Sequence, residues 1–304
     1  MKKNRNVMIM DFQRHKYKYL IVLPVIIYLA IFCYKPMYGV VIAFQKFQPS
    51  LGIADSPWVG FAQFERAFSD LYFWRALKNT LTISLLSLVF SFPVPIILAL
   101  ILNEVRVKWF GRTVQTITYM PHFISLVVVC GLINSFCQSE GLITDLLVFF
   151  GANRENLLAN PNYYYPIYII SGIWASAGWD SIIYLAALSS IDQEQYEAAK
   201  VDGAGRLQQL FYITLPGLLP TVVMLLILRM GSILGVGYEK TLLLYQPLTY
   251  EVADVLSTYV YRKGLIDANY SFSTAVGLFD SLVGLILVVT VNKISKKFGQ
   301  SGLF

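Results

Sequence analysis

Long apolar runs alternate with short polar ones along the whole chain. A helix needs about 20 apolar residues to cross the hydrocarbon core. Six stretches meet that length: about Leu20 to Phe44, Asn79 to Leu102, Gln115 to Phe136, Tyr163 to Leu188, about Leu218 to Val236, and Ser271 to Val291. They predict an all-α integral membrane protein with six transmembrane helices. The first is long and no small-x-small cleavage site follows it, so it reads as a retained helix and not as a signal peptide. Pro93 and Pro95 are expected to kink the second, and Pro121 falls in the first turns of the third. Two shorter patterns lie between spans. Val252, Val255, Leu256, Tyr259 and Val260 recur at helical spacing ahead of Gly264, predicting an amphipathic helix on the outer face with a glycine stop. Ser56 to Ala76 is rich in aromatic residues and fits the membrane interface.

Composition supports the membrane reading. The hydrophobic share is 56% and the charged share 14%, against about 25% charged in ordinary soluble domains. The net charge is +6, but the basic residues flank apolar runs and do not form a nucleic-acid-binding patch. They crowd the N-terminal tail (Lys2, Lys3, Arg5, Arg14, Lys16, Lys18), the second–third loop (Arg106, Lys108, Arg112), the fourth–fifth loop (Lys200, Arg206) and the C-terminal tail (Lys293, Lys296, Lys297). The positive-inside rule then puts both termini in the cytoplasm. The expected organisation is a basic tail over 1–19, a membrane domain over 20–292 with a loop at 190–216, and a tail over 293–304. Cys33, Cys130 and Cys137 have no framework spacing and read as free thiols in packed or lipid-facing positions. With His15 and His122 they make no recognisable metal site.

The fourth–fifth loop is the most informative segment. Asp192 to Val201 is a strong helix former that Asp192 or Ser190 can cap. Asp202-Gly203 marks a turn, because glycine accepts a left-handed backbone. Ala204 to Thr214 is helical again, with Leu207, Leu210, Phe211 and Leu215 as an apolar stripe, and Pro216 is expected to divide it from the fifth span. Ala198 and Ala199 leave a flat patch beside Glu197. That patch suits docking against a partner. The plainer reading is a solvated loop with Glu197 and Lys200 as a surface pair.

Glu197-Ala198-Ala199, three residues, Gly203, nine residues, then Ile213-Thr214-Leu215-Pro216 resembles the EAA loop of binding-protein-dependent ABC importers. The likeness extends through Gln115–Ser125, Gly172–Trp174, Ser181–Leu188, Leu226–Gly231, Ser257–Arg262 and Thr274–Phe279. It is similar to the polysaccharide/oligosaccharide, lipoprotein-associated branch of the maltose-type family. The resemblance implies a permease subunit in a bacterial plasma membrane. It implies a second related permease, a cytoplasmic ATPase dimer that carries ATP and Mg, an extracytoplasmic solute-binding protein and a sugar substrate. The coupling loop comprises Asp192, Tyr196, Glu197, Ala198, Ala199, Asp202, Gly203, Ala204, Ile213, Leu215 and Pro216. In that family the loop converts ATPase closure into rotation of the helix bundle.

The chain itself is not expected to be an enzyme or to bind a cofactor. A phosphate loop needs Gly, four residues, Gly, Lys and Ser or Thr. The nearest approach, Gly235 to Thr241, has Leu234 and Glu239 where glycines are required. Three charges lie inside apolar spans: Asp180, Arg229 and Asp280. Such residues face protein or water, so Arg229 either contacts substrate or pairs with Asp180 or Asp280. Trp174, Trp179, Tyr184 and Tyr238 offer aromatic faces for sugars, and Asn134 is a further candidate. His122 is expected to be a hydrogen-bonded interface residue. Two alternatives remain at this point: a secondary transporter using Asp180 and Asp280 as ion-coupling carboxylates, and a membrane enzyme acting on lipid or glycan. No internal repeat favours the first.

Overall fold

The computed structural model describes residues 14–297. The two tails therefore fall partly outside the described residues, Lys2, Lys3 and Arg5 with them. The described chain is helical, and one isolated bridge, Gln45 with Trp58, is its nearest approach to a strand. Five helices are long and apolar enough to span: Lys16–Phe44, Leu71–Glu104, Pro161–Ser189, Arg206–Gly231 and Tyr270–Lys297. Lys108–Phe123 and Leu126–Phe136 form a sixth candidate only as a pair bent by 98°.

The chain divides into two compact units. The first holds the residues through Ser69 together with Lys263–Leu278. Its spanning helix exposes its apolar side chains from Leu20 to Tyr38, as a lipid-facing helix does. Phe44, at the end of that helix, stacks on Trp58 and meets Phe61 and Phe64 edge-on or tilted. This cluster closes the chain reversal around the Gln45–Trp58 bridge. The Phe47 N–H donates to Ser271 Oγ at 2.8 Å, and the Arg66 guanidinium lies 5.4 Å from the Phe272 ring centre.

The second unit holds Asp70–Arg262 and the chain from Phe279. Asp70 caps the second span, its Oδ1 accepting from the Tyr72 N–H at 2.8 Å. A π turn over Ser87–Ser91 precedes Pro93, where the prolines interrupt the regular α-helical bonding, and Leu71–Glu104 continues as one span. Asn160 caps the fourth span and Pro161 opens it. The fourth span lies against the bent pair at Gly178: a Cβ there would fall 2.0 Å from the Thr118 carbonyl oxygen. The fifth and sixth spans also touch through small residues, since a Cβ on Gly284 would fall 2.7 Å from the Gly231 carbonyl oxygen.

Five expectations need correction. The third span is not one helix. Pro121 opens a 3-10 turn over Met120–Phe123, Ile124 is extended, and Ser125 caps a new helix by accepting from the Val128 N–H. The cap competes with helix continuation just where proline has weakened it. The fifth span runs from Arg206 to Gly231 and not from Leu218 to Val236. A π turn over Leu210–Thr214 absorbs Pro216, which sits in the first turn of the following α-helix and leaves no break. The amphipathic segment is two short helices, Tyr250–Ala253 and Leu256–Tyr261, separated by extended Asp254 and Val255. Val255, Leu256 and Tyr259 are buried, so the segment is packed and does not lie on a surface. Gly264 continues a π turn and does not terminate it.

The break at Asp254 has a visible cause. Its carboxylate takes two hydrogen bonds from Arg262, at 3.2 and 2.7 Å, and one from Thr258 Oγ1 at 2.8 Å. Asn79 Nδ2 donates to the Glu251 and Asp254 carbonyls, and Thr80 Oγ1 accepts from the Leu256 N–H at 2.7 Å. Buried polar groups thus fix this segment to the start of the second span, at the end of the bundle opposite the fourth–fifth loop.

Candidate coupling elbow and transport cavity

The fourth–fifth loop is a helix, a tight turn and a second helix. Asp192 caps Gln193–Val201 by accepting from the Glu194 N–H at 3.0 Å. Gly203 has φ +78. Around it the Gly203 N–H donates to the Lys200 carbonyl at 3.1 Å and the Ala204 N–H to the Ala199 carbonyl at 2.8 Å. This is the double bond of a Schellman stop. The second arm is tied back by Gln209 Nε2 to the Ala204 carbonyl and by the Gly205 N–H to Gln208 Oε1. The Tyr196 hydroxyl meets Thr214 Oγ1 at 3.0 Å, joining the first arm to the π turn that starts the fifth span.

This elbow presents an apolar surface. Val201 is 88% exposed, Leu207 70% and Tyr212 80%, and Phe211 is exposed beside them. Glu197 and Ala198 are also exposed, while Ala199, Ala204, Ile213 and Leu215 are half-buried. Among the described residues no ion pair engages Glu197, so the Glu197–Lys200 surface pair does not form.

The proposed pathway residues divide into two groups. Trp179, Asp180, Tyr184 and Arg229 line one cavity of about 550 Å³, together with Ser91, Phe92, Pro95, Ser176 and Ser232. That volume lies within the range of about 300–1,000 Å³ typical of small-ligand sites. Trp174, Asn134, Tyr238 and Asp280 lie elsewhere. Asn134 Nδ2 donates to the Leu243 carbonyl at 3.0 Å and so holds the end of the short helix Tyr238–Leu244. Tyr238 stacks on Tyr261. Trp174 is 49% exposed and Asp280 is half-buried outside the cavity. Among the described residues Arg229 makes no ion pair with Asp180 or Asp280. His122 stacks face to face on Trp179, at 4.5 Å between ring centres and 1° between planes, where a hydrogen-bonded residue was expected.

Sequence reasoning missed Lys240. It lies between the fifth and sixth spans, where its Nζ donates to the Tyr168 carbonyl at 2.7 Å and sits 4.3 Å from the Tyr168 ring centre. Burial pushes its ammonium down to about 8, and the nearby Cys130 thiol acts in the opposite sense. Lys240 was legible only as part of a failed phosphate loop. The serines of the cavity wall carry no sequence signal of their own, although Ser232 follows Arg229 at helical spacing. Cys130 and Cys137 are buried and Cys33 is exposed, all as free thiols.

A bundle of apolar helices with a cavity between spans that carries a few polar groups, and a stitched elbow at one end, fits a multi-pass membrane permease. Over residues 91–298 the chain matches the family described as binding-protein-dependent transport system inner membrane component, and it belongs to that family. It is 48% identical over 304 residues to the polygalacturonan/rhamnogalacturonan transport system permease protein YteP of Bacillus subtilis (strain 168), covering 100% of this chain and 95% of that one. Its fold matches a crystal structure of a bacterial alginate ABC transporter in complex with an alginate pentasaccharide-bound periplasmic protein. There the TM-score is 0.89 at 47% identity, over 97% of this chain and 99% of the other. A second crystal structure, of a bacterial ABC transporter involved in import of the acidic polysaccharide alginate, gives 0.88 at 48% identity, over 95% and 98%. The chain is therefore a permease subunit of an ABC importer, a transport subunit in the membrane. The comparisons do not favour the ion-driven transporter or the membrane enzyme.

Proposed function

We propose that this permease admits an acidic oligosaccharide, cut from a polysaccharide, and is driven by ATP hydrolysis on a separate cytoplasmic ATPase dimer that grips the elbow. A second related permease completes the pathway and an extracytoplasmic binding protein delivers the sugar. The observation that carries this reading is the elbow itself. Its two arms are joined by a Schellman stop and a Tyr196–Thr214 bond, and its far arm continues without a break into the fifth span. A push on Glu197 or on exposed Val201, Leu207 and Tyr212 therefore moves a spanning helix and not a slack loop. Both termini and the elbow face the cytoplasm, in keeping with the basic flanks. The acidic substrate class follows from the uronate polymers carried by the similar transporters.

The test is reconstitution of the assembled importer in liposomes, with ATP hydrolysis and uptake of oligogalacturonate read together. Glu197→Lys removes the exposed carboxylate. Gly203→Pro removes the N–H that donates to Lys200 and forbids φ +78. Each variant inserts normally and hydrolyses ATP without matching uptake, with uptake down about tenfold or more, equivalent to ~1.4 kcal/mol of coupling. Normal uptake by both variants would overturn the proposal.

A further inference from the structure

Two cavities share Arg229. The larger is the one already described, and the smaller, of about 210 Å³, is lined by Ser84, Ser87, Tyr168, Ser232 and Arg229 and by Ile233 and residues 235–237 of the irregular stretch that follows. Among its described lining residues Arg229 is the single charged side chain, and the larger cavity adds Asp180. Arg229 stands in the last turn of the fifth span, whose helix ends at Gly231. The Ser232 N–H and hydroxyl both donate to the Arg229 carbonyl, at 3.2 and 3.3 Å. The Ser84 hydroxyl donates to the Ile233 carbonyl just beyond. The helix terminus is thus fixed from two sides, and its negative dipole end supports a cation placed there. Irregular backbone inside a membrane protein persists where it lines a cavity. Among the described residues no acid lies within ion-pairing distance of this guanidinium, which leaves its planar donors open to a ligand.

We infer that Arg229 is the specificity-determining residue for substrate charge: it takes the carboxylate of a uronic sugar unit at the junction of the two cavities, while the neighbouring unit lies along the Trp179 ring. This rests on the proposed import of an acidic saccharide. Guanidinium and carboxylate match as a two-bond pair, which a neutral hydroxymethyl group cannot replace. An anion crossing the apolar bundle needs a cationic or hydrogen-bonding partner along its path. A neutral sugar of the same length gains nothing from it, so the residue sorts by charge and not by size.

The experiment uses the assembled importer in proteoliposomes, with one binding protein throughout. The probes are trigalacturonate and its carboxyl-reduced trisaccharide, and the readout is the ratio of their ATP-dependent uptake. Arg229→Gln lowers the acid-to-neutral ratio about tenfold or more, and Arg229→Lys lowers it less. Ser87→Asp puts a carboxylate on the wall of the smaller cavity and lowers the same ratio, which decides the matter if the glutamine variant does not assemble. A ratio unchanged in Arg229→Gln, whether both probes fall together or neither does, overturns the inference. So does an unchanged ratio in Ser87→Asp. In both cases import of acidic saccharide stands. If the unsubstituted importer takes up neither probe with ATP, the acidic-saccharide reading falls and this inference falls with it.

Discussion

The elbow and the Arg229 cavity sit at opposite ends of one helix, Arg206–Gly231, and are built in opposite ways. The elbow is local. Its bonds join residues no more than 18 positions apart, as in Tyr196 to Thr214, and most span five or fewer. The cavity is assembled from three spans, with Ser91 and Pro95 on one, Trp179, Asp180 and Tyr184 on another, and Arg229 on the third. The elbow can hold its shape whatever the bundle does. The cavity exists only while the spans keep their packing, so a rotation of the fifth span reshapes the cavity and leaves the elbow intact. That asymmetry suits the proposed coupling, in which the elbow would serve as a stiff handle and the cavity as a deformable pathway.

Glycine substitutions break this comparison most sharply. Gly178 meets the Thr118 carbonyl backbone to backbone, and an added Cβ would fall 2.0 Å from that oxygen, so the two elements must separate to admit a methyl group. Gly178→Ala is expected to destabilise by about 1–3 kcal/mol or more, as overpacking does, and to abolish uptake. Gly217, near the elbow, would meet the Ile191 side chain and no backbone, with Cδ1 at 2.7 Å and Cγ1 at 3.0 Å. Gly217→Ala is expected to be nearly silent. Thermal melts of the purified importer, read beside uptake, rank the two. Equal melting would show that the cavity side is as self-contained as the elbow.

A smaller effect tests charge burial behind the cavity. Lys240 in the folded protein holds its proton only up to about 8, against 10.5 ordinarily. Below pH 8 both folded and unfolded chains carry the charge, and the fold bears the full cost of burying it. Between about 8 and 10.5 the unfolded chain binds more protons than the folded one, so stability rises with pH there. The difference in melting temperature between the natural protein and Lys240→Met is expected to move in favour of the natural protein across that window. A pH-independent difference would place the Lys240 ammonium in water. The elbow carries no such buried charge, and Glu197→Gln is expected to leave melting unchanged over the same range.

The same asymmetry explains what could be read from sequence. The six apolar runs, the Asp192 cap and the Gly203 turn were legible because hydrophobic length, capping chemistry and left-handed backbone are local properties. The bend at Pro121 was missed because proline alone is tolerated in a membrane helix; the break needed the Ser125 cap as well. The Val252–Val260 pattern was read as one surface helix because helical spacing does not reveal which polar residue is buried. Asp254, drawn inward by Arg262 and Thr258, breaks it. Arg229, Asp180, Trp179 and Tyr184 were named individually, but their meeting in one cavity depends on how three spans pack. Asn134 and Tyr238 were named with them and instead hold the Tyr238–Leu244 helix in place.

The smallest expected effect falls on the elbow, and it sharpens the comparison best. Tyr196→Phe removes the hydroxyl that meets Thr214 Oγ1, a bond worth about 1 kcal/mol. Thr214 Oγ1 keeps its bond to the Gln209 carbonyl at 3.3 Å, so no buried polar atom is stranded. The Schellman stop and the Gln209–Ala204 tie are untouched. If the elbow is stiff through several independent local bonds, sugar imported per ATP hydrolysed changes less than about twofold, under 0.5 kcal/mol. Amide hydrogen exchange then rises only around the π turn Leu210–Thr214. If Tyr196→Phe uncouples as strongly as Gly203→Pro, the handle hangs on one long-range bond and is no more self-contained than the cavity it moves.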